Sequence, residues 1–500
     1  MKINKYILDA AVLICGAVVM IFEMVGSRVL APYIGTSIYV WTSLIGVILG
    51  SLSMGYYFGG KIADKKPNYN TLALIIFISS VFIGLTIIFK QNLLEYLQFN
   101  YSDIKISSFL ASLLLFMPAS FLLGMVTPYA VKLKLHSLNS SGSTVGNLFA
   151  VSTAGSIIGT FLSGFYLIPY FGTNNILIFL SITLIIVSLM LSINDFLKIK
   201  LSLLMVMIII LFSYNKINYA SANNGLIDID TAYNRIWIYD SKDIDTNRKV
   251  KNMEINSEVE SSMFLESDEL VNDYAKFFHL AKHFNPDFKT TLMLGGAGYS
   301  YPNDFLSKYP NATIDVVEID PTITDLAKKY FRLKDNPRLT TYNQDARVYL
   351  NKTDKKYDII FGDAFGSHYS IPFQLSTLEA IQKEYDILNN DGVAIMNVIS
   401  SLKGDMGKFL NAEYATYKKV FPQVYLFPVQ NPTNDVDNGY QVQNIMIVAI
   451  KSDQPVKLDS TDPILNGYLK HLWKEEITTN LPILTDDYAP VDHYMSSAIN

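Results

Sequence analysis

The stretch TLMLGGAGYSYPNDFLSKYPNATIDVVEID, Thr291 to Asp320, decides the fold. Its first four residues, Thr291-Leu292-Met293-Leu294, read as a buried strand, and the chain then breaks into Gly295-Gly296-Ala297-Gly298. Helix-compatible sequence resumes at Asn303-Asp304-Phe305-Leu306, and a second apolar strand, Ile314 to Ile319, carries Glu318 near its end. A glycine-rich turn between strand and helix lets a ligand approach the backbone, because no Cβ is in the way. A carboxylate about 20 residues further on is where a nucleoside-binding fold places its acceptor for ribose hydroxyls. A tight turn in any α/β domain can supply glycines alone. The strand before the turn and the strand with its Glu after it make this pattern more specific.

Outward from this stretch the alternation continues. Strands are expected at 291–295, 313–319, 338–343, 357–363 and 392–399, with helices at 321–332 and 373–388. Such alternation implies a mostly parallel sheet with helices on both faces, and ligands at the carboxyl ends of its strands. Glu318, Asp345 and Asp363 each fall near a strand end, so one cleft can gather all three. Glu318 suits two ribose hydroxyls as a bidentate acceptor. Asp345, in Asp345-Ala346-Arg347, suits an exocyclic adenine amine, although a helix N-cap is also a plausible role for it. Asp363 ends the apolar run from Tyr357, where a carboxylate can hold a cationic amine and take its proton. Upstream, Leu226–Asp240 and Val250–Asn256 read as two alternating strands, and Asp268–Phe284 as a helical pattern containing Tyr274.

The N-terminal part is of another kind. Residues 1–213 hold only 18 charged residues, 12 basic and 6 acidic, so they carry about +6 where the remainder carries about −11. An apolar, slightly basic part followed by an acidic one reads as a membrane domain joined to a soluble one. Seven spans of about 20 apolar residues can be drawn, at 6–33, 39–60, 71–90, 107–131, 142–170, 173–193 and 197–213. Glu23 and Arg28 follow the first apolar run where a cleavage site would need small residues, so a cleaved signal peptide is not expected. Glycines four apart, Gly46/Gly50, Gly55/Gly59, Gly142/Gly146 and Gly155/Gly159, suit close helix contacts, while Pro128 and Pro169 are expected to kink or end their helices. Glu23 and Arg28 are costly in lipid and should face the bundle interior or a wet surface, as an ion pair or an amine pathway. Most lysines fall on one side of a seven-span arrangement; the positive-inside rule then places the soluble part outside. A nucleoside cosubstrate argues for the inside. The single Cys15, in an apolar run, gives neither a disulfide framework nor a cysteine metal site.

With these residues in view, 226–450 resembles the spermidine synthase (polyamine aminopropyltransferase) family, and the whole chain the bacterial branch with a fused multi-pass membrane domain. Phe22-Glu23-Met24-Val25-Gly26-Ser27-Arg28 and Leu484-Thr485-Asp486-Asp487-Tyr488-Ala489-Pro490-Val491 are typical of that branch. The resemblance implies a methyltransferase-type Rossmann fold that transfers an aminopropyl group from decarboxylated S-adenosylmethionine to putrescine or another amine, without a metal. Carried over, Gly295, Gly296 and Gly298 form the glycine turn, Glu318 holds the ribose, Asp345 and Ala346 meet the adenine, and Asp363 is catalytic. Tyr233 and Tyr274 take the aromatic places of the amine site. The departures are Ala297-Gly298-Tyr299, in which the Asp that follows the family's glycines and binds the aminopropyl ammonium is not evident, Gly366 for the second Asp of the catalytic loop, Tyr274-Ala275-Lys276 for Tyr-His-Glu, and Glu260 for a Gln. Glu260 is a candidate replacement carboxylate for substrate binding.

The expected architecture is therefore an α-helical membrane bundle of about seven transmembrane helices (1–213), a small β-region with a linking helix (214–288) and a Rossmann-like adenosyl-binding domain (289–500). The expected partners are a small-molecule amine, the lipid bilayer of the cell membrane and a second copy of the chain in a homodimer; an acidic soluble domain argues against nucleic acid. An S-adenosylmethionine-dependent methyltransferase on the same fold, or a transporter or sensor that binds a nucleoside without turnover, are the alternatives.

Overall fold

The computed structural model describes residues 5–496 apart from 102, 136, 138–139, 193–196, 198–199, 202, 204, 206–224, 365–371, 431–437 and 478. The chain divides into two compact units, Met1–Arg235 and Ile236–Asn500. From Ile236 onward, the β-region that the sequence sets apart falls in the second unit.

Six helices of the first unit are long and apolar enough to cross a membrane. They are α1 (Lys5–Ile34), α2 (Ile38–Lys65), α3 (Tyr69–Asn100), α4 (Ile104–Lys134), α5 (Ser141–Leu162) and α6 (Thr173–Leu191). The seventh expected span, 197–213, lies mostly outside the described residues, though Lys200 there is buried and donates to the Ser192 carbonyl at 3.2 Å. α4 continues through Pro118 and Pro128 to Lys134, so Pro128 does not end it. Pro169 does mark an irregularity, following a π-helical turn at Ser163–Leu167.

Half of the expected glycine contacts form. A Cβ on Gly55 would sit 2.2 Å from the Phe121 carbonyl oxygen, and one on Gly155 would sit 2.0 Å from that of Leu13. These glycines let α2 meet α4 and α1 meet α5 backbone to backbone. Gly46, Gly50, Gly142 and Gly146 face open space instead. Arg28 is also assigned a partner. Its guanidinium donates to the carbonyls of Thr231, at 2.7 Å, and Tyr233, and pairs with Asp230 at 3.4 Å. Asp230 in turn accepts from the Thr173 amide at the start of α6, at 2.7 Å. The clamp closes on the short strand β1 (Ile227–Asp230) and the turn after it.

The second unit opens with an antiparallel meander, β2 (Arg235–Lys242), β3 (Lys249–Ile255) and β4 (Glu258–Phe264). β4 was not expected from the sequence. Two short helices, α7 (Asp273–Phe277) and α8 (Leu280–Phe284), replace the single one expected over 268–284. The main sheet has the order β10-β11-β9-β8-β5-β6-β7. Its parallel part is β5 (Thr290–Leu294), β6 (Thr313–Val317), β7 (Leu339–Tyr342), β8 (Tyr357–Gly362) and β9 (Leu388–Ser400). An antiparallel pair, β10 (Gln423–Pro428) and β11 (Gln443–Ile450), extends the β9 edge.

Alternation within the strands builds two cores. Leu292 and Ile360, paired across β5 and β8, face a cluster with Phe409 and Tyr417 of a helix at Lys408–Val420. Met293 and Phe361, the next pair, face the other way, where Phe361 packs edge-on against Phe278 and Tyr301. Residues one apart on a strand point to opposite faces, so both faces of this sheet are apolar and covered.

Candidate active site

The order β8-β5-β6-β7 sets four carboxyl ends side by side. Asp363 follows β8, Gly295 follows β5, Glu318 follows β6, and Asp345 comes three residues after β7. Asp363 and Glu318 thus end strands on either side of β5, and Asp345 lies one strand beyond Glu318, at the sheet edge.

The glycine turn is shaped first by its protein neighbours. Gly295 has φ +92°, and a Cβ there would lie 2.1 Å from the carbonyl oxygen of Asp363. A Cβ on Gly298 would lie 2.7 Å from Cβ of Ser261, whose hydroxyl accepts from the Gly298 amide at 2.9 Å. Ala297 and Tyr299 hold left-handed backbone, φ +41° and +55°. Non-glycine residues in that region cost roughly 1–3 kcal/mol each, strain that collects at ligand clamps. Gly295 and Gly298 are therefore required by the approach of β8 and β4, and Gly296 opens on the cavity described below.

Glu318 is buried, at 6% exposure. One carboxylate oxygen accepts from the amides of Gly296, at 3.0 Å, and Ala297, at 3.3 Å; the other accepts from Asp320 at 3.0 Å. Burial pushes its carboxyl above the usual range, against the pull of these three amides. The acid is thus hydrogen-bonded to the turn.

Asp363 lines a cavity with Glu260, Asn272, Tyr274, Met293 and Gly296. By area it is half-buried, because one edge meets the cavity, but the protein packed around it strips water from the carboxylate. That desolvation raises its pKa to about 6, against the donors that favour the charged form. Those donors are the Tyr274 hydroxyl, 3.1 Å from Oδ2, and the Asn397 amide, 3.0 Å from Oδ1. Asn397 is oriented by Asn444, whose amide donates to its Oδ1 at 3.0 Å. A side-chain carbonyl occupied in this way leaves only the NH2 group for Asp363. Tyr274 stays protonated, its pKa lifted well above the ordinary value by burial and then by the charge of Asp363. The result is a carboxylate held at both oxygens by neutral donors, which can accept a proton near neutral pH.

Asn397, Asn444 and Ser261 were missed from the sequence. The first leaves a signal there, as an amide inside the apolar run of β9. The other two are legible only through strand pairing.

The remaining expectations fare differently. Asp345 takes the N-cap role, its Oδ1 accepting from Val348 at 2.9 Å at the head of the helix Ala346–Lys352. Ala346 is its first residue. Glu260 and Tyr274 join Asp363, and the Tyr274 hydroxyl also reaches the Glu260 carbonyl at 3.4 Å. Tyr233 belongs to the first unit, where its carbonyl accepts from Arg28. Gly366 lies outside the described residues.

Beside the site, Asp486 ties three segments together. It pairs with Arg347 through both oxygens, at 3.1 and 2.6 Å, and accepts from the Thr377 hydroxyl at 2.7 Å. Leu484 bonds both the Leu378 amide, at 2.8 Å, and the Thr416 hydroxyl, at 3.1 Å. The segment Leu484–Asp486 is therefore a strap over the helices beginning at Ala346, Leu378 and Lys408.

Residues 274–465 match the model of the spermine/spermidine synthase domain. A polyamine aminopropyltransferase from Vibrio vulnificus (strain CMCP6) is 31% identical over 177 residues, 35% of this chain and 56% of that protein. A probable polyamine aminopropyl transferase from Bifidobacterium longum (strain NCC 2705) is 31% identical over 220 residues, 41% of this chain and 48% of the relative. The chain thus spans about half the length of these two relatives. A solved probable spermidine synthase from Corynebacterium glutamicum ATCC 13032 is 20% identical, with 45% of this chain and 80% of that chain covered at a TM-score of 0.39.

Proposed function

We propose that the chain is a membrane-bound aminopropyltransferase that uses decarboxylated S-adenosylmethionine and an amine acceptor, putrescine or a related amine. The observation that carries this reading is Asp363, a desolvated carboxylate held by Tyr274 and Asn397 at the strand end beside the glycine turn. The domain match over 274–465 supports the same class. The glycine turn and Glu318 would receive the nucleoside, with Glu318 turning from the amides of Gly296 and Ala297 to the ribose hydroxyls. Ala346 and the free edge of Asp345 would face the adenine.

In the reaction, an amine nitrogen attacks the carbon next to the sulfonium. A C–N bond forms, the C–S bond breaks, and its electron pair stays on sulfur, giving methylthioadenosine. The proton that the ammonium must lose goes to Asp363 and then to water. Placing the two reactants in line is the larger part of the catalysis. The first unit would anchor the enzyme in the bilayer. Its six apolar helices and outward apolar side chains, among them Phe165, 74% exposed, and Ile88, 61% exposed, support that placement.

Incubating the full-length chain with decarboxylated S-adenosylmethionine and a panel of amines, and following methylthioadenosine by mass spectrometry, tests the proposal. No methylthioadenosine with any amine would end it. Methyl transfer from S-adenosylmethionine is the second reading, favoured by the missing amine-site acids, since no carboxylate follows the glycines in Ala297-Gly298-Tyr299. Methylated product with S-adenosylhomocysteine in the same assay would select it.

A further inference from the structure

Lys90, in the last third of α3, is a cation at only 5% exposure. The charges that act on it are those of Arg235, Asp230 and Asp228, all within the first unit. Both carboxylates are already engaged. Asp230 accepts from the Thr173 amide and pairs with Arg28, and Asp228 takes Arg235 through both oxygens, at 3.1 and 2.8 Å. Among the described residues, none gives the Lys90 ammonium a hydrogen bond or an ion pair. Three cations thus meet two anions, and a buried ammonium without a close counter-charge is unfavourable.

The start of α6 adds to the positive excess. The Ser181 hydroxyl donates to the Ser80 carbonyl at 2.8 Å and the Ser188 hydroxyl to the Ala73 carbonyl at 2.6 Å, so α6 runs antiparallel beside α3. Ten residues along α3 from Ser80, Lys90 is therefore level with the start of α6. That helix begins on Gly172, which has no side chain to cap it, and a helix N-terminus carries about half a positive charge.

We infer that Lys90 and the start of α6 form a site for one phosphate group, that of an anionic phospholipid of the surrounding bilayer. The inference rests on the membrane placement proposed above and adds what this end of the bundle binds. At 1.5 Å per residue the 19 residues of α6 span about 28 Å, close to the hydrocarbon thickness of a bilayer. Its first turn then stands at the level of the head groups. The long stem of a lysine lets the ammonium reach a head group while the stem stays among apolar side chains. A phosphate oxygen takes charge-assisted hydrogen bonds from that ammonium and offsets the surplus charge of the cluster. Basic pockets between membrane helices hold anionic head groups in this way.

The test is native mass spectrometry of the full-length chain, released from detergent with three probes in turn: phosphatidylglycerol, diacylglycerol with the same acyl chains, and inorganic phosphate. One phosphatidylglycerol per chain is expected to bind at least about tenfold more tightly than diacylglycerol. Lys90→Met should bring the two lipids within about threefold of each other. Lys65→Met, which removes an exposed lysine from the last turn of α2, should leave the preference unchanged. Equal binding of the two lipids by the wild type, or an undiminished preference in Lys90→Met, overturns the inference. Inorganic phosphate that displaces phosphatidylglycerol at a comparable concentration overturns the lipid as the source of the anion. The wild-type comparisons need no variant and hold even where Lys90→Met does not fold. Recovery of the chain in the soluble fraction of cells lysed without detergent overturns the membrane placement, and the inference with it.

Discussion

Desolvation sets the working range of Asp363. Its pKa of about 6 means that the carboxylate is available above that pH and protonated below it. Turnover should therefore climb as pH rises through about 6, in a pH–rate profile taken with saturating substrates. Asp363→Asn removes the proton acceptor and keeps the shape, so turnover should fall by about 10²–10⁴-fold while methylthioadenosine affinity holds. Asn397→Leu takes away one donor to the charged form, so the acid limb of the profile should move to higher pH. A purely structural role for Asn397 would lower activity without moving that limb. Asn444→Ala should move it in the same direction, less far, since it acts only by orienting Asn397.

At the scale of elements, glycines with close neighbours differ from those without. Gly155→Ala should destabilise the first unit by roughly 1–3 kcal/mol, the usual range for overpacking, whereas Gly146→Ala, with open space around it, should be nearly neutral. Denaturant midpoints of the two variants in detergent would show the contrast. The sequence could not separate these glycines, because spacing reveals that two small residues share a helix face and is silent on what that face meets. The same limit explains the turn at Gly295–Gly298, whose glycines were legible while their neighbours Asp363 and Ser261 came only with strand order. Glu318 and Asp363 were readable because a carboxylate ending an apolar strand stands out against its surroundings. Asp345 reads as an adenine contact with a cap as the plausible alternative, and the cap forms. β4, β10 and β11 went unread, since antiparallel partners carry no strand–helix alternation to announce them.

At the scale of the whole molecule, buried acids make stability run against the usual pH trend. Glu384 and Glu413 lie fully packed between helices, and burial raises both carboxyls to about 8. Among the described residues, the Tyr417 hydroxyl reaches Glu384 Oε2 at 2.9 Å and Oε1 has no hydrogen-bond partner. The folded chain thus holds these protons more tightly than the unfolded one, whose glutamates titrate near about 4.3. Stability from this source is complete at low pH and declines as pH rises through about 8. Glu260, Glu318 and Asp363 are raised too and act in the same direction. The unfolding temperature of the full chain should therefore drop between pH 6 and 8.5, and Glu384→Gln should flatten that drop. The strap at Leu484–Asp486 bears on the order of assembly during synthesis. Arg347 and Thr377 wait for Asp486, so the helices they begin or cap cannot be latched until over a hundred further residues have been made. At about 5–20 residues per second that delay is roughly 5–20 s. Once β9 is made, the nascent domain has its parallel strands and none of this closure, which makes release of Asp486 from the ribosome the moment at which these helices are latched.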